Sequence, residues 1–163
     1  MSTKTATIKL TGAMRMEATV GSGHTIVMDD GESDTGARPS ELVAVALGGC
    51  TGMDVISILR KKRQPVTGYE IRVAGAQVEG YPHNFIRFDV VHVVDGDGVD
   101  PEAVRRAVEL SATKYCSVGS TLSSGGLTLH HSYLVRTPGA ADIAGDVLVT
   151  GPNEDPAALA ARA

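Results

Sequence analysis

Two side chains in this 163-residue chain carry chemistry that few others can supply. They are Cys50, inside PSELVAVALGGCTGMDVISILRKKR (residues 39–63), and Cys116, inside KYCSV (residues 114–118). A thiolate is a nucleophile and a metal ligand, and positive charge, a metal or a helix N-terminus lowers the pH at which it forms. Three readings are therefore open: a redox pair, part of a metal site, or two small buried hydrophobes, the usual state of a free cysteine. The metal reading is thin, because there is no CxxC, and His130 and His131 alternate to opposite faces of a strand and cannot ligate one ion without a bulge. No metal is expected. His24, after Ser22-Gly23, can donate to a bound oxygen or help lower the Cys50 pKa. Asp54 lies one helical turn beyond Cys50 on the same face. A carboxylate there raises a thiol pKa, so its expected work is capping or pairing with Lys61, Lys62 or a residue of a partner chain.

Both cysteines are placed by helices. Residues 39–63 predict one long helix, opened by Pro39 in its first turn and closed by Arg60 to Arg63 at the negative end of its dipole before Gln64-Pro65. Gly48-Gly49 inside it cost roughly 1 kcal/mol each, which implies that another group comes close to the Cys50 backbone. A helix apolar on all sides is a core helix, and one small sheet with 4% aromatic residues cannot surround it. The expected solution is a homodimer in which two copies of the helix pack together. A second helix is expected from Asp100 (N-cap) and Pro101, with Val104, Ala107, Val108, Ser111 and Tyr115 on its core face and Cys116 at its end.

The other segments read as strands. Residues 3–29 form a three-stranded meander, 69–78 and 85–94 a hairpin, and 127–136 a last strand, while 29–38 is a loop and 119–126 a polar, glycine-rich turn. Three strands, a helix, two strands, a helix and a strand make an α+β chain, with antiparallel strands around two long helices. One domain, residues 1–137, is expected, followed by a tail, residues 138–163, that is peripheral or poorly ordered; within it Asp146 to Val149 can add an edge strand.

A net charge of −4 and a single basic cluster at a helix end argue against nucleic acid as a partner. The N-terminus lacks a signal-peptide pattern, and the apolar run Leu42 to Leu47 is too short to cross a bilayer, so a cytoplasmic protein without a membrane partner is expected. Two cysteines in such a chain argue for free or redox-active thiols over a disulfide scaffold.

Pro39-Ser40-Glu41-Leu42, Ala46-Leu47-Gly48-Gly49-Cys50, Asp54 to Leu59, and Leu110-Ser111 with Lys114-Tyr115-Cys116-Ser117-Val118 together resemble the OsmC/Ohr family of thiol peroxidases, over roughly residues 3–136. The resemblance implies an OsmC-like fold of intertwined homodimers with active sites near the subunit interface. It implies reduction of small-molecule organic hydroperoxides, with Cys50 as the peroxidatic and Cys116 as the resolving cysteine, a dithiol reductant as partner and no cofactor. Family peroxidases pair the thiolate with an arginine and hold that arginine with a glutamate directly after the helix-opening proline. Here that position is Ser40, and Glu41 follows one step later, about 100° around the helix. Arg15 and Arg38 are the candidate arginines. The pattern is similar to a less-characterised branch without a clear arginine–glutamate pair. The alternative is an OsmC-fold binding protein for a small hydrophobic ligand, with non-catalytic or redox-sensing thiols.

Overall fold

The computed structural model describes residues 3–152. The chain divides into two compact units between Val43 and Ala44. In the first, β1 (Ala6–Leu10), β2 (Met16–Val20) and β3 (Thr25–Met28) form the expected antiparallel meander. The loop after β3 is ordered by short polar side chains. The buried Asp29 carboxylate accepts from the Thr35 hydroxyl and from the Asp30 and Thr35 amides, and Asp30 accepts from the Glu32 and Ser33 amides. Aspartate in a turn competes in this way for backbone donors that would otherwise lack partners.

The second unit is a four-stranded sheet covered by helices. Its order is β4 (Gly68–Gln77), β5 (Phe85–Asp95), β6 (Thr128–Arg136) and β7 (Ile143–Thr150). The expectation of antiparallel strands fails at one pair, since β5 and β6 run parallel. The reason is the helical crossover between them, which returns the chain to the end of the sheet from which β5 started. Asp95 and Arg136 face each other in that register and close it with a two-pronged ion pair at 2.6 and 3.0 Å. Beyond residue 137, β7 is an edge strand paired antiparallel to β6, longer than the Asp146 to Val149 patch. The last part of the expected tail, residues 153–163, lies outside the described residues.

Helix α1 (Glu41–Lys61) buries Leu47, Gly48, Thr51, Gly52, Val55 and Leu59, a stripe at helical spacing. Val55 and Leu59 pack with Val94 and Val135 of the sheet and with Val104, Ala107 and Val108 of α2 (Pro101–Leu110). Each such side chain, fully buried, stabilises the fold by roughly 1.5–3 kcal/mol. Asp100 caps α2 by accepting from the Glu102 amide, as its sequence predicts. The close approach implied by glycine falls at Gly48 and Gly52. A Cβ on them would lie 3.0 Å from Val73 and 2.1 Å from Ile71, while one on Gly49 would meet nothing. Glycines one turn apart thus let α1 settle onto β4.

The opposite side of α1 is open. Val45 and Met53 are 65% and 75% exposed, with exposed Gly49 between them. The helix therefore is not buried all round within the protomer. Its 21 residues are long and apolar enough, by length and composition, to cross a membrane, which the short run Leu42 to Leu47 does not suggest; its packed stripe nonetheless forms part of a protein core.

The second long helix is broken. After Leu110 the backbone widens into a π turn (Ser111–Tyr115), breaks at Cys116, and resumes as α3 (Ser117–Ser124). The extra residue in a π turn rotates the side chains that come after it, so Tyr115, expected on the core face, is 51% exposed. The expected polar turn 119–126 is mostly this third helix. Its weak formers are held by a cap at each end, Cys116 at the start and the Gly125 amide on the Thr121 and Leu122 carbonyls at the finish, before Gly126 turns away at φ +97°.

His92 and His131 are fully buried on neighbouring strands, while His130 points the other way to bridge Asp89 and Asp146 at 3.1 and 2.8 Å. The Tyr69 hydroxyl reaches His92 Nδ1 at 2.7 Å; among the described residues His92 Nε2 and both ring nitrogens of His131 have no hydrogen-bond partner. Burial first, then repulsion from His131, pulls His92 down to about 3, and burial, then repulsion from His130, pulls His131 down to about 4. Both values lie below the unfolded one, about 6.5, so the unfolded chain takes up more protons as soon as the pH falls beneath it. Stability is fully present above about pH 6.5 and is lost as the pH falls toward the folded values, on the order of 2 kcal/mol per histidine at pH 5. Urea unfolding between pH 8 and 5 should show this decline, and His131→Asn should flatten it.

Candidate active site

Cys50 and Asp54 face the π turn from successive turns of α1. The Cys50 sulfur, the Cys116 sulfur and an Asp54 carboxylate oxygen all lie within 4.8 Å of one another. The 66-residue separation is thus closed by the fold. Cys50 is half-buried, Cys116 buried, and both are free thiols.

Three local devices place Cys116. The π turn ends with the Cys116 amide donating to the Ser111 carbonyl at 2.9 Å. Cys116 is then extended (φ −71°, ψ 99°) and caps α3, its sulfur accepting from the Gly119 amide at 3.2 Å. Glycine suits position 119, where a Cβ would lie 3.3 Å from that sulfur. At the head of the π turn, buried Ser111 donates to Asp54 Oδ2 at 3.0 Å and lies 2.9 Å from the Thr51 hydroxyl. One hydroxyl therefore ties α1 to the segment that carries Cys116. Sequence reasoning assigns Asp54 to Lys61, Lys62 or a partner chain; Ser111 holds it instead. Ser111, Thr51 and Gly119 are site residues that the sequence reading misses. Their signal is polarity: a serine on an otherwise apolar helical face has to find a buried partner.

Cys116 is set by its surroundings. Burial pushes Cys116 up to about 12; the Gly119 amide acts the other way, and Cys50 and Asp54 reinforce the rise. Cys116 is a neutral thiol at physiological pH. Cys50, on α1, is the more accessible of the two. Clefts open on two sides: about 410 Å³ against Cys116, Ser120 and Thr150, and about 430 Å³ against Asp54, Ile58, Leu110 and Tyr115.

The supporting residues named from sequence sit in the first unit with partners of their own. Arg38 donates to Asp34 at 2.7 Å and to the Gly36 carbonyl at 2.8 Å. Glu41 accepts from the Arg38 amide at 2.8 Å, a capping-box contact that serves the helix start. Arg15 donates to Thr11 at 2.8 Å with Glu17 3.7 Å away, and exposed His24 lies 3.0 Å from Ser22 Oγ.

Residues 31–132 match the family described as OsmC-like protein. Protein YhfA of Escherichia coli K12 is 41% identical over 114 residues, 70% of this chain and 84% of that protein. The chain belongs to the OsmC/Ohr family. A crystal structure of a hypothetical protein from Aquifex aeolicus is 30% identical with a TM-score of 0.75, covering 84% of this chain and 98% of that one. The organic hydroperoxide resistance protein OhrB of Bacillus subtilis is 16% identical with a TM-score of 0.53, over 81% of this chain and 98% of that one; this likeness is one of fold. The α+β architecture with OsmC-like topology expected from the cysteine contexts is the one found.

Exposure sets an order of reactivity for the pair. Limited alkylation of the reduced protein at pH 7.5, followed by peptide mass mapping, should label Cys50 first. Cys116, buried and held as the neutral thiol, should resist until the chain is unfolded.

Proposed function

We propose that this protein reduces organic hydroperoxides with Cys50 as the peroxidatic and Cys116 as the resolving cysteine. The observation that carries this reading is the juxtaposition of an accessible helix thiol with a buried, protonated one inside 4.8 Å. Two sulfurs that close need only a local adjustment to reach the ~2.05 Å of a disulfide. The fold shared with proteins named for organic hydroperoxide resistance supports the choice of substrate.

The Cys50 thiolate attacks the terminal peroxide oxygen, the O–O bond breaks, and the alkoxide leaves as an alcohol after taking a proton. Cys50 is left as a sulfenic acid. The Cys116 sulfur then attacks the Cys50 sulfur, an S–S bond forms, and the sulfenic oxygen departs as water. Asp54, beside both sulfurs, carries the Cys116 proton to that leaving oxygen, and Ser111 positions the carboxylate. A dithiol reductant reopens the disulfide by exchange and is itself oxidised. No step calls on a cofactor.

Cys50→Ser should reduce turnover of an alkyl hydroperoxide with a dithiol donor to background. Cys116→Ser should give one equivalent of oxidation and stop. Asp54→Asn should leave the first oxidation intact and slow disulfide formation roughly 10²-fold in stopped flow. A Cys50 no faster with peroxide than free cysteine would overturn the reading and favour a binding protein, whose place would be the apolar groove of Val45, Gly48, Tyr69, Ile71 and Val73.

The same reading includes a homodimer formed across the open face of α1. Val45, Gly49 and Met53 lie one turn apart, apolar and unshielded within the protomer. Light scattering should give a dimer for the native chain and a monomer with unchanged far-UV circular dichroism for Met53→Glu.

A further inference from the structure

We propose that the reduced site is also a metal site, binding one zinc-class divalent ion through Cys50 Sγ, Cys116 Sγ and an Asp54 carboxylate oxygen. Among the described residues this is the group of cysteine, histidine and acidic side chains whose donor atoms converge, all within 4.8 Å. Zinc–thiolate bonds are about 2.3 Å, which puts two sulfurs on a tetrahedral ion about 3.8 Å apart, so the donors need to close by no more than about 1 Å. Two thiolates and one carboxylate select a borderline-soft ion over magnesium or calcium. Three protein ligands leave the fourth tetrahedral position to water or a small anion.

The surroundings of the donors are those a metal site uses. Ser111 donates to Asp54 Oδ2 at 3.0 Å, fixing the orientation of the carboxylate. The Gly119 amide points at Cys116 Sγ at 3.2 Å, a donor that steadies a sulfur carrying negative charge. Ions have a way in, because Asp54 lines one cleft and Cys116 another. Binding replaces two S–H bonds by two S–metal bonds and releases two protons, with no change of oxidation state.

A further consequence rests on the peroxidase reading. A disulfide consumes both sulfurs, so the metal-bound and oxidised forms exclude each other. The ion would hold Cys50 and Cys116 reduced and silent, and its removal would restore reactivity toward peroxide.

The test uses the full chain, reduced with a phosphine and freed of metal by chelation, then titrated with Co²⁺ as a spectroscopic stand-in and with Zn²⁺ in competition. The expected result is a thiolate-to-cobalt charge-transfer band with tetrahedral d–d absorption, saturating at one ion per chain and bleached by Zn²⁺. Cys116→Ser should lose most of the charge-transfer intensity. Asp54→Asn, which keeps both thiols, should weaken binding at least tenfold, and Ser111→Ala about tenfold. No charge-transfer band, or a band and affinity unchanged in Asp54→Asn, would overturn the proposal. None of these measurements involves peroxide, so metal binding without peroxidase activity, or peroxidase activity without metal binding, separates the two readings.

Discussion

The Ser111 hydroxyl, held between Asp54 and Thr51 inside the protein, is the contact on which the site's geometry depends. Hydrogen bonds to charged groups contribute about 1.5–3 kcal/mol, and a buried one that loses its partner costs more than the bond was worth. That asymmetry locks the start of the π turn to the middle of α1. Everything downstream inherits the position: the widened turn, the extended Cys116, and the α3 start whose amide meets the Cys116 sulfur. Moving Ser111 by one helical position would swing the hydroxyl about 100° and release α1 from the second cysteine.

The sheet beneath makes that contact possible. The parallel β5–β6 pair requires a crossover, and the crossover brings α2, the π turn and α3 over the face that α1 occupies. Gly48 and Gly52 let α1 lie close on Ile71 and Val73, and Val55 and Leu59 carry it into the core shared with α2. The two sulfurs meet because two helical segments are each pressed onto one sheet, and the serine–aspartate bond sets their relative register. The stability of this arrangement includes a price at low pH, since His92 and His131 occupy core positions that only neutral imidazole fits.

Much of this is legible in the residues. Alternation locates the strands, the Asp100-Pro101 start locates α2, and the contexts around Cys50 and Cys116 carry the family. The features that escape are set by long-range packing. A parallel strand pair leaves no mark on either strand's own pattern, and a π turn looks like any helix end until the position of Tyr115 is known. SVGSTLSS has the composition of a loop, and only the Cys116 and Gly125 caps make it a helix. Asp54 near lysines suggests a surface ion pair, because nothing in the sequence says that a serine 57 residues later lies against it. Arg15, Arg38 and Glu41 are candidates by analogy with a family pattern and His24 by its place after Ser22-Gly23, and their local partners are a threonine, an aspartate, a backbone amide and a serine.

The crossover departs from a regular helix at three successive points. A π turn, a cysteine as helix cap and a helix of serine, glycine and threonine each sacrifice some regular-helix stability. A regular continuation of α2 through residue 116 would place its side chains on another rotation and form a conventional hydrogen-bond ladder. It would also carry the Cys116 sulfur away from the Gly119 amide. The departure keeps that sulfur at the start of α3, on the Gly119 amide and within 4.8 Å of Cys50.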